Sequence, residues 1–219
     1  MFLGHFAAGL AAKKVSPYTS LGTLLLCAQL ADLIWPTLVA GGIEQVAIAP
    51  GITRVTPLDF VHYPWSHSLL LTVLWGALFA AAYALLRRYP RGATVAFALV
   101  LSHWVLDLIV HRPDLPLAPG LDVRLGLGLW NSLPWTLALE AVLFSIGLYI
   151  YQANTEPIDR AGTWGLRAFA VLLAAIYAAN VFGPPPPSVQ AIAAVGHAQW
   201  LLVLFGYWID RHRTPVRQW

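Results

Sequence analysis

The sequence predicts an all-α fold: a polytopic membrane helix bundle of about six transmembrane helices, with one further short helix at the N-terminus. Of the 219 residues, 58% are hydrophobic and only 11% are charged, whereas a soluble domain carries roughly 25% charged residues. The apolar residues form six runs, each near the length of about 20 residues that crosses a hydrocarbon core. This composition excludes a disordered chain, a coiled coil and a nucleic-acid-binding protein.

The six runs are separated by residues that end helices. Arg87-Arg88 and Pro90-Arg91-Gly92 separate the second run from the third, and Gly183 with four prolines separates the fifth from the sixth. The predicted spans are 18–41, 66–86, 92–111, 133–152, 163–182 and 189–209. Since no repeat or linker divides the chain, we expect a single transmembrane domain over 1–219, with the polar motifs in 1–120 and the C-terminal helices in 133–209.

Residues 1–12 are apolar but too short to cross a membrane. They are followed by Lys13 and Lys14, whereas a cleaved signal peptide carries its positive charges before the apolar stretch. Two alternatives remain open for this segment: an interfacial helix, or a re-entrant half-helix that ends at the two lysines.

The basic residues fall mainly on one side of the predicted bundle. When the loops are assigned to alternate sides, ten of the 13 Lys and Arg residues lie on the side of both termini. The other side receives only Arg54, Arg112 and Arg124. By the positive-inside rule, we expect both termini in the cytoplasm of a bacterial inner membrane.

The predicted spans contain ionisable residues at a shared depth. Such groups are costly in a bilayer and are therefore candidates for a functional site. At 1.5 Å per residue, they lie about 6 to 13 Å below the non-cytoplasmic face. They are Asp32, His103, Asp107, Glu140 and His197, with His67 at the start of the second span and His62 in the loop before it.

The third span carries a metal-ligand pattern. His103, Asp107 and His111 recur at i, i+4 and i+8, which places them on one face of a helix. Imidazole and carboxylate ligands suit Zn²⁺, or Mn²⁺ or Fe where carboxylates are more numerous. The single Cys27 offers neither an intrachain disulfide nor a thiolate cluster.

Several of these residues also have structural interpretations. His197 suits hydrogen-bonded packing between helices, and Glu140 is either a general base or a protonated carboxyl group bonded to a neighbouring helix. His111 lies at the end of its span, where it either caps the helix or binds metal. His62 either binds metal or holds its loop.

Four sequence elements occur in a characteristic order: Gly4-His5, Asp32, a His-x4-His-Ser element from His62 to Ser68, and Ser102-His103 followed by Asp107. In this order they resemble the membrane-bound metal-dependent hydrolases, a family of bacterial inner-membrane proteins, over roughly residues 1–120. The resemblance implies a metal site formed by a set of five side chains, with His62 in or next to it. The five are His5, Asp32, His67, His103 and Asp107.

The chain departs from the family pattern at two places. Ile34 stands where the family commonly has a second carboxylate, which weakens the prediction of a two-metal centre. Tyr63 and Pro64 stand where the family has Arg-Gly, so a cation suited to an anionic phosphate is missing there. Arg112 is a candidate replacement for that charge.

The sequence therefore predicts a metal-dependent hydrolase that acts on a lipid-like or amphiphilic ester or phosphoester near the outer leaflet. Zinc is the expected cofactor, Glu140 is the predicted general base, and the expected partners are membrane lipids and the amphiphilic substrate. Two other classes remain open: a proton-coupled transporter that uses the buried carboxylates and imidazoles as a relay, and an accessory subunit of a larger membrane complex.

Overall fold

Long apolar helices form most of the computed structural model, which describes residues 1–216. In chain order the helices are α1 (Leu3–Val15), α2 (Leu21–Ala28), α3 (Leu30–Ala40), α4 (Pro64–His67), α5 (Leu69–Arg87), α6 (Pro90–Val110), α7 (Leu133–Ala153), α8 (Arg160–Phe182) and α9 (Val189–Arg211). The helices α5 to α9 have 19 to 23 residues each and are apolar enough to cross a membrane. Large side chains on their outer surfaces, such as Leu70, Leu85 and Leu201, are exposed. The protein is a multi-pass membrane helix bundle, as the sequence predicts.

The first predicted span, 18–41, is a broken helix. Its two parts, α2 and α3, are bent by 57°. The break lies at Gln29, whose backbone (φ −105°, ψ 7°) leaves the helical region. The bend turns α3 so that Asp32, in its first turn, lies among the polar residues of α4 and α6. The five remaining predicted spans correspond to α5–α9, with ends that differ from the prediction by up to three residues.

The N-terminal segment is a half-helix inside the bundle. The 13 residues of α1 reach about 20 Å, too short to cross a bilayer. Phe6 and Leu10 are fully buried, and α1 packs against α2, α6 and α7. Of the two alternatives for this segment, the structure thus has a helix within the protein and not one lying on the membrane surface.

Short hairpins and loops close the two ends of the bundle. The strands β1 (Gln45–Ile48) and β2 (Leu58–His62) pair antiparallel, as do β3 (Leu115–Pro116) with β4 (Arg124–Leu125) and β5 (Thr155–Pro157) with β6 (Arg213–Pro215). The hairpins β1–β2 and β3–β4 lie at one end, with the loops 41–63, 111–132 and 183–188; we call it the hairpin end. The opposite, basic end carries β5, β6 and the loops 16–20, 88–89 and 154–159.

The largest buried apolar cluster lies toward the basic end, and a second one lies at the hairpin end. Phe6, Leu10, Leu25, Tyr151 and Phe169 belong to one fully buried cluster that joins α1, α2, α7 and α8. At the end of α1, the Lys13 ammonium group donates a hydrogen bond of 2.6 Å to Asp210 of α9. The opposite end of α1 therefore reaches the polar residues nearer the hairpin end.

Candidate metal centre

Five polar side chains from four helices converge inside the bundle. The shortest distances between their ligand atoms are 3.1 Å from His5 Nε2 to Asp107 Oδ1, 3.2 Å from His103 Nε2 to Asp107 Oδ2, and 3.4 Å from His67 Nε2 to Asp32 Oδ1. His103 Nε2 also lies 3.8 Å from Asp32, and His67 Nε2 lies 4.0 Å from Asp107. The structure thus brings together all five residues that the family resemblance implies.

Local structure accounts for the position of each ligand candidate. His103 and Asp107 lie one turn apart on α6, so both side chains point the same way. Asp32 belongs to the first turn of α3, beyond the bend. His67 ends the single turn of α4, which begins at Pro64 because proline is favoured at the first helical position.

In its neutral form, His103 presents an unprotonated nitrogen to the two carboxylates. Its Nδ1 lies 2.8 Å from the carbonyl oxygen of Ala28 and must donate to it, since a carbonyl only accepts. That oxygen is free because Ala28 ends α2 at the break. In the neutral imidazole, Nε2 then carries a lone pair, and it is buried without a hydrogen-bond partner among the described residues. A bound cation, or a second proton on the ring, removes the repulsion between this lone pair and the carboxylate oxygens.

His67 is oriented in the same way by a chain of two residues. The Ser66 hydroxyl donates to Glu44 Oε2 at 2.6 Å and lies 2.7 Å from His67 Nδ1. Because the hydroxyl proton is used on the carboxylate, the serine oxygen accepts the Nδ1 proton of His67. Glu44 Oε1 also accepts the backbone N–H groups of Trp65 and Ser66. The Nε2 atom of His67 is therefore left to face Asp32, as expected of a metal-ligating histidine.

The donor atoms have the spacing of a divalent-metal site. Two groups of three residues, His5/His103/Asp107 and Asp32/His67/His103, each have ligand atoms within 4.8 Å of one another, and they share His103. A tetrahedral zinc ion with bonds of about 2.1 Å needs neighbouring ligand atoms about 3 to 3.5 Å apart. Three of the distances already lie in that range. The two carboxylates carry the negative charge that a divalent cation needs, although the Met1 amino group contacts the same Asp107 oxygen as His5.

Glu140, the predicted general base, holds the start of α1. Its two carboxylate oxygens accept the backbone N–H groups of Phe2 at 3.0 Å and Gly4 at 2.9 Å. The first N–H groups of a helix lack partners within the helix, and a carboxylate there also interacts favourably with the helix dipole. The amino group of Met1 contacts Asp107 nearby. This geometry favours a positioning role for Glu140, which holds the helix that carries His5.

His111 lies outside the five-residue cluster but lines the same cavity. Its Nδ1 lies 2.9 Å from Asp114 Oδ1, which also accepts a hydrogen bond of 3.0 Å from the Tyr63 hydroxyl. His111 lies just past the end of α6, and burial lowers its pKa below the usual value, whereas burial and the nearby Asp114 raise the pKa of Tyr63 well above its usual value. A neutral His111 that donates from Nδ1 to Asp114 keeps a lone pair on Nε2.

His62 does not reach the cluster. It is the last residue of β2, is exposed, and lines a separate small cavity of about 200 Å³ with Asp122 and Arg124. Arg112, the candidate replacement cation, forms ion pairs with Asp59 and Asp114 and so is not free for a substrate anion. His197 donates from Nδ1 to the carbonyl of Ala193 and lies 3.0 Å from the Thr37 hydroxyl, which matches its packing interpretation.

A cavity of about 590 Å³ connects the cluster with the hairpin end. Asp32, His67, Asp107, His111 and Glu140 all contribute to its wall.

The sequence interpretation missed residues that surround the site. Asp114, three positions after His111, carried a local signal for pairing, whereas Glu44 and Trp35 carried none because their role depends on contacts between distant segments.

Comparison with known proteins adds no family assignment: no protein-family model matches the chain, and neither curated proteins nor solved structures gave a match.

Proposed function

We propose that this protein is a membrane-embedded, metal-dependent hydrolase that cleaves an ester or phosphoester bond of an amphiphilic substrate. The observation that carries the proposal is the buried Nε2 atom of His103, which has no hydrogen-bond partner among the described residues. It faces two carboxylates in a cluster that contains two further imidazoles. The proposed ligands are His5, Asp32, His67, His103 and Asp107. Zinc suits this mixture of nitrogen and oxygen ligands best, and Mn²⁺ or Fe are the alternatives.

When bound, a divalent metal supplies Lewis-acid chemistry: it lowers the pKa of water and polarises an ester or phosphoryl oxygen. The residues of the chain supply the rest. His111 Nε2 accepts a proton from the attacking water, whose oxygen forms a bond to the acyl carbon or phosphorus. The bond from that atom to the ester oxygen breaks, and His111 returns the proton to the departing oxygen. Asp114 holds the imidazole in the tautomer that this transfer requires.

The packing below the cluster supports a hydrolase over a transporter. The side chains that follow the site toward the basic end, Phe6, Leu10, Leu24 and Leu25, are fully buried and apolar. The cavity opens toward the hairpin end, where its loop residues lie. A relay that moves protons or substrate across the bilayer needs polar groups on both sides of the site.

The test is metal content and turnover of the purified protein. We expect a stoichiometric divalent metal by elemental analysis in the wild type and its loss in His103→Ala, with loss of hydrolysis of a chromogenic ester or phosphodiester. His197→Ala, which removes another intramembrane histidine, is the matched control and should keep both. His111→Gln should keep the metal and lower kcat by roughly 10²- to 10⁴-fold, the usual contribution of general acid–base catalysis.

Two results would contradict these assignments. Full metal content in His103→Ala would show that the ligand set is wrong. Unchanged turnover in His111→Gln with metal bound would remove His111 from the reaction. Orientation belongs to the same proposal: the hairpin end faces the non-cytoplasmic side of a bacterial inner membrane, and the basic end faces the cytoplasm.

A further inference from the structure

The cavity beside the cluster extends between two membrane-facing helices. Its wall includes Tyr177, Asn180 and Val181 near the end of α8, and Ile192 and Val195 near the start of α9. Val195 is 67% exposed while it lines the cavity. A residue that is both in the wall and on the outer surface marks an opening, so the cavity opens sideways toward the lipid.

The same two helices pack closely at the basic end. Phe169 and Phe205 make an edge-to-face contact with ring centroids 5.4 Å apart. A Cβ added at Gly165 would lie 2.5 Å from the ring of Trp208, so the Trp208 ring of α9 packs on a part of α8 that only a glycine leaves free. The helices therefore meet at the basic end and leave the opening between them near the hairpin end, where the four prolines 184–187 connect them.

The cavity wall contains polar atoms without partners. Trp35 Nε1, Tyr177 OH and Gln199 Oε1 are buried and make no hydrogen bond to any described residue, and all three residues line this cavity. Trp35 is only 7% exposed. A buried donor or acceptor without a partner is costly and rare in folded proteins. These atoms are covered in this structure, so the polar part of a ligand meets them, and removes that cost, when the three side chains turn toward the cavity.

One cation at the cavity mouth is not neutralised. Arg54, in the loop between β1 and β2, lines the cavity and forms no ion pair with any residue of 1–216. The other two arginines of the hairpin end are engaged: Arg112 pairs with Asp59 and Asp114, and Arg124 donates to the carbonyl of Val61. An exposed guanidinium beside a cavity that also contains polar groups suits a phosphate group.

From these observations we infer that the cavity binds a phosphate-bearing lipid, with the phosphate at Arg54, the polar linkage at Trp35, Tyr177 and Gln199, and an acyl chain that leaves between α8 and α9. The inference rests on the proposed hydrolase and names its substrate class. The lateral opening lets the chain remain in the membrane while the head lies beside the metal ligands. A soluble phosphoester has no use for the opening.

Photo-crosslinking of the purified protein in phosphatidylcholine nanodiscs tests the inference. The probe is phosphatidic acid with a diazirine in one acyl chain, and the comparison probe is diacylglycerol with the same chain. We expect phosphatidic acid to label the α8 segment 177–182 and the α9 segment 189–196, and diacylglycerol to label them weakly. Arg54→Gln should lower the phosphatidic acid labelling about tenfold, the effect of one charge-assisted hydrogen bond.

Two tryptophan substitutions test the opening. Val195→Trp places a large ring between α8 and α9 and should lower the labelling severalfold. Val171→Trp makes the same change at an equally exposed position of α8, 69% exposed and away from the cavity wall, and should leave labelling unchanged. Metal content is measured in every variant and should equal that of the wild type.

The outcomes separate this inference from the proposed function. Equal labelling by the two lipids, or labelling that Arg54→Gln and Val195→Trp leave unchanged, would overturn the lipid assignment. Complete competition by inorganic phosphate would show a site for free phosphate and overturn it as well. If the protein then still binds metal and needs His103 for turnover, the hydrolase stands without the lipid. If the protein binds no metal but phosphatidic acid labels it more strongly than diacylglycerol, the lipid-binding site stands and the proposed hydrolase is rejected.

Discussion

At the scale of single residues, the hydrogen bonds around the candidate ligands explain why their side chains face one point. His103 donates from Nδ1 to a carbonyl that the break at Gln29 leaves free, and His67 donates to a serine held by Glu44. The rings of His5 and His103 stack with centroids 3.7 Å apart. Each arrangement fixes a ring plane and a tautomer, and for both His67 and His103 it exposes Nε2 to the carboxylates.

Glu44 provides a prediction at this scale. Glu44→Gln replaces a carboxylate oxygen with an amide nitrogen, so the Ser66 proton is no longer held by a strong acceptor and the orientation of His67 is weakened. Metal affinity should fall by about 10- to 100-fold, the usual effect of changing a group that orients a metal ligand. A chelator-competition titration measures it.

Two further variants make this titration decisive. Ser66→Ala should have a similar effect, because it removes the hydroxyl and leaves the backbone hydrogen bonds to Glu44 in place. Glu156→Gln, on the exposed part of β5, is the matched control and should bind metal like the wild type. Wild-type metal affinity in both Glu44→Gln and Ser66→Ala would show that the hydrogen bonds from Glu44 through Ser66 to His67 do not influence the metal site.

At the scale of secondary-structure elements, the half-helix α1 brings a ligand candidate into the interior of the bundle. It fits because glycines allow close approach of neighbouring helices. A Cβ added at Gly147 of α7 would lie 2.6 Å from the carbonyl oxygen and 2.7 Å from the Cα of Ala7. Backbone atoms are in the way, so no side-chain rotation relieves the clash.

Gly147→Ala should therefore push α1 away from α7. We expect a loss of stability of about 1 to 3 kcal/mol, as for other overpacked cores, together with lower metal occupancy, because His5 moves with α1. Thermal unfolding in detergent and elemental analysis measure the two effects. Ser145→Ala, at an exposed position of the same helix, should change neither. An unchanged melting temperature and metal content in Gly147→Ala would mean that the contact is dispensable.

At the scale of the whole molecule, charge and polarity are separated along the membrane normal. The basic loops lie at one end of the bundle, and the cluster and its cavity lie toward the other. A positively charged end stays preferentially in the cytoplasm. The proposed orientation follows from this asymmetry, and it also determines from which leaflet the lateral opening is reached.

Cysteine labelling in intact cells tests the orientation. Asp122→Cys lies in an exposed loop at the hairpin end, and Arg91→Cys lies exposed at the basic end. A membrane-impermeant maleimide added outside should label the first variant and should label the second only after the cells are opened. The native Cys27 is fully buried and serves as the unlabelled background. The opposite labelling pattern would reverse the proposed orientation.

The sequence by itself determined the fold class, the five or six apolar spans and the residues that are costly in a bilayer. These follow from local properties: about 20 apolar residues match the hydrocarbon thickness, and an ionisable group within them has a high desolvation cost wherever its partners lie. The i, i+4 spacing of His103 and Asp107 is likewise local, because the helix places both on one face.

Only the tertiary structure decided which of those residues meet. The sequence leaves open whether His62 joins His67 at the metal site; in the structure, the turn at Pro64 directs His67 to the cluster and leaves His62 on the surface. Glu140 holds the start of α1, and His111 pairs with Asp114. The bend at Gln29, the burial of α1 and the support from Glu44 also arise from packing between segments far apart in the chain. Such contacts leave no periodic pattern in the sequence, since they depend on how the helices are arranged around one another.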